Sequence, residues 1–165
     1  MVELVIRAER ASDARDVFAV ESAAFGRADE ARIVDAIRGS ADEIASLVAV
    51  DGSVVGHVFF TRVRITGARE RFAAALGPVA VAPERQSSGI GGRLIRAGIE
   101  VVRPSFETIF VLGNPRYYAR FGFELALPFG FDYAQGTERA FQTMQLAGAR
   151  PAGGRVVYHP AFAGH

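Results

Sequence analysis

Apolar and polar residues follow two rhythms along this chain, and the change between them marks out the elements. Residues 4–7, Leu-Val-Ile-Arg, read as a short first strand. Ser12 then stands as a helix N-cap, with Asp13 and Asp16 in the first turn, where the helix dipole favours anions. Ala14, Phe18 and Phe25 follow as a helical stripe, interrupted by one acid, Glu21. A second helix runs from Asp29 to Arg38, with Ile33, Val34 and Ile37 inward and Gly39 as its stop.

The period then shortens to that of strands. Ala45–Val50 and Ser53–Val63 read as a hairpin around Asp51-Gly52, residues that tolerate the positive φ of a type I′ turn. Phe72–Val81 is a third strand, and Gly77-Pro78 inside it predicts a bulge or splay, because proline cannot donate to a ladder. The loop 82–88 leads to a helix from Gly89 to Val102, with Ile90, Leu94, Ala97 and Val101 inward and Pro104 as terminator. Thr108–Leu112 is a short strand, and Gly113-Asn114-Pro115 turns into a short helix holding Tyr117 and Tyr118. Phe123–Leu125 and Phe141–Leu146 are later strands, and the Gly- and Pro-rich tail 148–165 holds one apolar piece, Val156-Val157-Tyr158. The order β-α-α-β-β-β-α-β-α-β-β predicts one mixed sheet covered by helices, an α+β fold with a crossover before Thr108.

Composition narrows the chemistry. A chain of 165 residues, half hydrophobic and 22% charged, is one folded domain, with neither a repeat nor a linker. A net charge of +1 implies no nucleic-acid partner. No apolar run is long enough for a membrane span, and the start lacks the pattern of a signal peptide, so a cytoplasmic location is expected. The absence of Cys removes disulfides and a cysteine nucleophile. All 19 basic residues are Arg, so there is no Schiff-base or P-loop lysine. The three histidines, His57, His159 and His165, lack ligand spacing, and no metal site is expected.

The sharpest local feature is Arg85-Gln86-Ser87-Ser88-Gly89-Ile90-Gly91-Gly92, between a strand and a helix. A helix start presents unpaired N–H groups and positive potential, and glycine lets an anion approach, so this turn suits a phosphate or pyrophosphate. A helix packed closely through small residues is the other reading. A dinucleotide fingerprint fails, because Leu94 stands where its third glycine belongs, and a Walker motif fails for want of lysine.

Val79-Ala80-Val81 followed by Gln86, Gly89 and Gly91 resembles the (R/Q)-x-x-G-x-(G/A) signature of the GNAT superfamily of N-acetyltransferases, and Tyr118-Ala119-Arg120-Phe121-Gly122-Phe123 resembles its Y-x-x-x-G-F segment. The order of elements agrees from about Val5 to Leu146. The resemblance implies a GNAT-like fold, with a mostly antiparallel central sheet and a splayed strand pair forming the groove for acetyl-coenzyme A. It implies one domain over residues 1–165, with a core of about 4–146 and a C-terminal extension from 147. Val79, Ala80 and Val81 would pair with the pantetheine arm. Arg85, Gln86, Ser87, Ser88, Gly89, Ile90, Gly91 and Gly92 would hold the pyrophosphate. Asn114 would touch pantetheine, although it lies closer to Tyr118 than in many members. Direct acetyl transfer to an amine, without metal, would follow. A coenzyme A sensor without catalysis, or a purely structural domain, are the rival readings.

By the same resemblance Tyr118 is the general acid for the departing thiolate, and packing alone is its other reading. Glu21, an acid on an apolar helix face, is the candidate base, since such a setting raises a carboxyl pKa; a rim pairing with Arg27 is the alternative. His57 shares a face with Val55 and Phe59 and reads as a core or rim histidine. Arg93, Arg96 and Arg103 read as a solvated helix face, whereas Arg85, Arg116 and Arg120 lie near the phosphate path. Phe121, Phe123, Phe129, Phe131 and Tyr133 read as core, in part an acceptor pocket. A homodimer is expected, with Val156–Tyr158 adding a strand or covering a sheet edge.

Overall fold

The computed structural model describes residues 3–146 and 153–163. The tail around 148–152 and His165 lie outside them. The strands are β1 (Val5–Ala8), β2 (Glu43–Asp51), β3 (Ser53–Thr66), β4 (Arg71–Val81), β5 (Thr108–Leu112), β6 (Glu124–Leu125), β7 (Phe131–Asp132), β8 (Phe141–Gln145) and β9 (Gly154–Val157). The helices are α1 (Ala14–Phe25), α2 (Asp29–Ile37), α3 (Ile90–Val102) and α4 (Pro115–Tyr118). One sheet runs in the order β1-β2-β3-β4-β5-β8-β6. Along this order neighbours are antiparallel except β4 and β5, which the α3 crossover makes parallel; off it, β9 pairs antiparallel with β3 and parallel with β7. This is the mixed sheet that the pattern predicts, mostly antiparallel as the family resemblance implies.

Alternation of side chains puts the two cores on opposite faces. On one face α3 covers Val58, Phe60, Ile109 and Val111, with Tyr117, Tyr118 and Phe121 packed against the same cluster. On the other, α1 and α2 bury Val17, Ile33, Val34 and Ile37 against Val48 and Phe59. Val156-Val157 belongs to β9, which pairs with β3 at Arg64–Thr66, beyond the stretch of β3 that β2 covers. The apolar piece of the tail thus fills an edge of its own sheet.

Three local expectations are corrected. Ser12 does not cap α1, whose N-cap residue Asp13 makes no side-chain cap bond; the Asp13 carboxylate instead holds the 3-10 turn before the helix, accepting from the Arg10 amide at 2.7 Å and from Arg7 at 2.7 Å. The buried stripe of α1 is Val17, Val20 and Glu21, with Phe18 half-buried and Phe25 exposed. On α3, Val102 is buried and Val101 is 52% exposed. In both helices the sheet chose the smaller or better-placed neighbour, a choice that periodicity leaves open by one position.

Candidate active site

The groove begins where β4 and β5 part. Ala74, Ala75 and Leu76 pair with Ile109, Phe110 and Val111, and among the described residues the ladder stops there. At Gly77, φ is +137°, a conformation open to glycine, and the Gly77-Pro78 peptide is cis. Opposite it, the β3 register shifts between Val58 and Phe60. Val79, Ala80 and Val81 then pair with β3 alone, while Leu112 turns to Phe141 of β8 and Gly113 donates to Ala140. A V opens between the strands, and the main-chain edge of 77–81 forms one wall. The bulge inferred from Gly77-Pro78 is the cause of the splay.

The signature loop closes the V at one end. Its shape is held by its own side chains: the Gln86 amide donates to the Val81 carbonyl at 3.0 Å, and the Ser88 hydroxyl to the Arg85 carbonyl. Ser87 and Gly89 both have positive φ, +61° and +87°. The first bonded helical N–H is that of Arg93, to the Gly89 carbonyl at 3.1 Å, so Ile90, Gly91 and Gly92 present orphan donors. They border a cavity of about 460 Å³ whose other side is Arg96, Tyr117 and Arg120. Arg96 lies over the Phe121 ring at 4.9 Å, and Arg120 over Tyr117 at 4.5 Å. Neither has a carboxylate partner among the described residues, whereas Arg85 is tied to Asp51 at 2.8 Å. A Cβ at Gly91 would stand 3.2 Å from the Tyr117 hydroxyl, inside this space. Free N–H groups, two guanidiniums without a carboxylate partner among the described residues and a floor kept clear by glycine fit a diphosphate, although Arg120 Nε already donates to the Tyr117 carbonyl at 2.9 Å. Arg96, read from the sequence as solvated, is thus a wall of the cavity. Its place four residues after Gly92, on the same helix face, was the available signal.

The two tyrosines diverge, as neighbours on a helix must. Asn114 caps α4, its side chain accepting from the Arg116 amide at 2.9 Å and its carbonyl from the Tyr117 and Tyr118 amides. Tyr117 faces the loop cavity. Tyr118 packs edge-on against Phe123, with centroids 5.9 Å apart, and over Gly113 at the end of β5. Its hydroxyl has no hydrogen-bond partner among the described residues. Burial pushes its pKa up to about 12, so the phenol keeps its proton.

Glu21 lies behind the groove. It is fully buried and meets His57 Nδ1 at 2.7 Å, while Arg27 pairs with Glu30 instead. His57 Nε2 meets the Ser46 hydroxyl at 2.8 Å, and that hydroxyl donates to Glu9, which Arg38 holds at 2.7 Å. Burial pushes the Glu21 carboxyl up and the His57 ring down, so the pair is neutral near pH 7. His57 is the core histidine its strand face implied. Sequence reasoning missed Ser46 and Glu9; a serine inside the apolar run Ala45–Val50 was the only trace.

A parallel strand pair that splays beside a glycine-rich helix start is the arrangement this chain shares with a known family. Residues 5–126 match the acetyltransferase (GNAT) domain family, and the chain belongs to it. Over 118 residues it is 42% identical to the uncharacterised N-acetyltransferase YjhQ of Escherichia coli K12, a match that spans 68% of this chain and 65% of that one. It is 32% identical over 165 residues to YhbS of the same strain, covering 96% and 98% of the two chains. The crystal structure of Escherichia coli YhbS in complex with CoA superposes with a TM-score of 0.91 at 31% identity, over 98% of this chain and 93% of that one. A GNAT acetyltransferase from Brucella melitensis in complex with acetyl-CoA gives 0.83 at 38% identity, over 98% and 99%.

Proposed function

We propose that this chain transfers an acetyl group from acetyl-coenzyme A directly to an amine. The observation that carries the reading is a β4 edge over 79–81 that has no β5 partner among the described residues and runs into a loop of free amide donors, with the protonated Tyr118 packed over Gly113 just past β5. The main chain of Val79–Val81 offers a ladder to the pantetheine amides, and Arg85–Gly92 with Arg96 and Arg120 receives the diphosphate. Asn114 follows the end of β5, the strand that faces β4 across the V, where a pantetheine contact is open to it. A backbone N–H at Val79 or Ala80 polarises the thioester carbonyl, and Tyr118 protonates the departing thiolate. Holding donor and acceptor together supplies much of the acceleration, and no cysteine stands by to carry the acyl group.

The test is a library of amines, including peptides, polyamines and small amines, assayed for release of free thiol and for acetylated product by mass spectrometry. Acetylation of at least one amine is expected. Tight acetyl-coenzyme A binding with no product from any amine would favour a sensor. The same reading includes cytoplasmic action and a homodimer; a single-chain mass by light scattering at micromolar concentration would remove the dimer.

A further inference from the structure

An acceptor ammonium must lose a proton before its nitrogen can attack, and the walls of the V supply no acid–base group for that. β4 beyond Arg71 and the whole of β5 hold no carboxylate and no histidine. The nearest such groups on the α1 face are Glu21 and His57. His57 pairs across the ladder with Ala80, and Val20, beside Glu21, packs against Ala80 and Ala82. The pair thus sits one strand behind the open edge.

Counting donors fixes the direction of the hydrogen bonds that start there. Glu9, held by Arg38, accepts from Ser46. Ser46 has one hydrogen, which this bond uses, so its oxygen accepts from His57 and the ring proton is on Nε2. On a neutral ring Nδ1 is then an acceptor, and Glu21 Oε1 donates to it. Every bond therefore points from Glu21 toward Glu9. At the inner end Glu21 Oε2 is buried without a hydrogen-bond partner among the described residues. At the outer end Ser46, Glu9 and Arg38 line a surface cavity of about 480 Å³. An orphan acceptor at one end and a cavity at the other are what a packing role leaves unexplained.

We propose that Glu21, His57, Ser46 and Glu9 form a proton relay that takes the acceptor's proton from the groove to the cavity beside Arg38. This rests on the acetyltransferase reading. The ammonium proton, passed over water, adds to Glu21 Oε2. The Oε1 proton moves to His57 Nδ1, the Nε2 proton to Ser46 Oγ, the Ser46 proton to Glu9, and water in the cavity takes it. One proton is displaced and no electrons change hands; the amine lone pair is left free to attack. The charged groups around this line are Glu30, bearing on Glu21 and held by Arg27, and Glu43, Glu9 and Arg38, bearing on His57, with Asp35 on Arg38.

Ser46→Ala cuts the line and leaves the groove intact; Ser46→Thr keeps the hydroxyl. Acetyl-coenzyme A affinity by calorimetry is expected to stay within about twofold in both. With an amine that the wild type acetylates, S46A is expected to lose on the order of 10²-fold in kcat/KM at pH 7. The loss should shrink toward pH 10, where the amine deprotonates unaided, and S46T should recover it. No loss, or one equal at every pH, overturns the relay. Nitrogen-15 NMR of wild-type His57 at pH 7 reads the donor order without turnover. A neutral ring protonated on Nε2 is expected, and an Nδ1-protonated ring overturns the proposal even in an active enzyme. A wild type with that tautomer that binds acetyl-coenzyme A but acetylates nothing brings down the acetyltransferase reading, and the relay with it.

Discussion

Gly113 lies so close beneath Tyr118 that a Cβ there would stand 2.5 Å from Cε2 of the ring. The glycine at the end of β5 therefore sets where the phenol can stand. Gly113→Ala keeps the hydroxyl and its proton but pushes the ring aside. Its expected effect is a fall in kcat of up to about 10²-fold with little change in acetyl-coenzyme A affinity, since a displacement near 1 Å is enough to spoil a proton transfer. Overpacking should also cost about 1–3 kcal/mol in urea unfolding. Unchanged kcat would show that the ring's position is not critical.

Tyr118→Phe makes the complementary change, keeping the ring and removing the donor. The chemical step should slow by about 10–10⁴-fold, on the scale of general acid catalysis, while acetyl-coenzyme A binding stays close to wild type. Because burial holds this phenol up at about 12, wild-type kcat should show no loss from its ionisation between pH 8 and 10, where an ordinary tyrosine begins to titrate. Stopped-flow single turnovers across that range check both points.

Gly91→Val should empty the diphosphate site. Its Cβ would face the Tyr117 hydroxyl at 3.2 Å and Val81 at 3.7 Å, with the branched methyls filling the cavity floor. Affinity for acetyl-coenzyme A should drop at least about tenfold, with a shift in Tm of only a few degrees, since the side chain enters solvent-filled space. Arg96→Ala and Arg120→Ala should each weaken binding and flatten its dependence on salt. Calorimetry at two ionic strengths separates these outcomes, and wild-type affinity in Gly91→Val would place the diphosphate elsewhere.

The buried pair makes stability depend on pH in a particular window. Burial, then the charge of Glu30, pushes Glu21 from 4.5 up to about 8, and burial pushes His57 from 6.5 down to about 4. Between pH 4.5 and 6.5 the folded pair holds one proton on Glu21 and the unfolded chain one on His57, so the two slopes cancel. From 6.5 to about 8 only the folded state holds the proton, so stability falls as pH rises, by about 2 kcal/mol in all. Glu21→Gln offers Nδ1 a permanently neutral donor, and the fall should disappear in it. Urea unfolding of both proteins at pH 6 and pH 8 decides, and equal slopes would place the proton elsewhere.

Short-range rules govern the features that are legible in the chain alone. Gly77-Pro78 forces a break in β4 wherever that strand sits, and Asp51-Gly52 turns a hairpin. Gly89 takes the positive φ of the signature loop, Gln86 ties it to Val81 and Gly91 keeps the cavity floor clear, so the loop proposed to hold the diphosphate was legible before any fold. The short helix that carries Tyr118 was legible too, from the turn Gly113-Asn114-Pro115, while the acid role proposed for Tyr118 comes from the family resemblance. Tertiary structure decided the rest, for a physical reason. A helical stripe is defined only to within about 100° per residue, so the sheet had to select Val17 over Phe18 and Val102 over Val101. Arg96 became a cavity wall only when Phe121, far along the chain, came beneath its guanidinium. Glu9, Glu21, Ser46 and His57 belong to a strand end, a helix and two further strands. No spacing between them encodes a line of hydrogen bonds; the antiparallel register of β2 and β3 and the packing of α1 bring them into one.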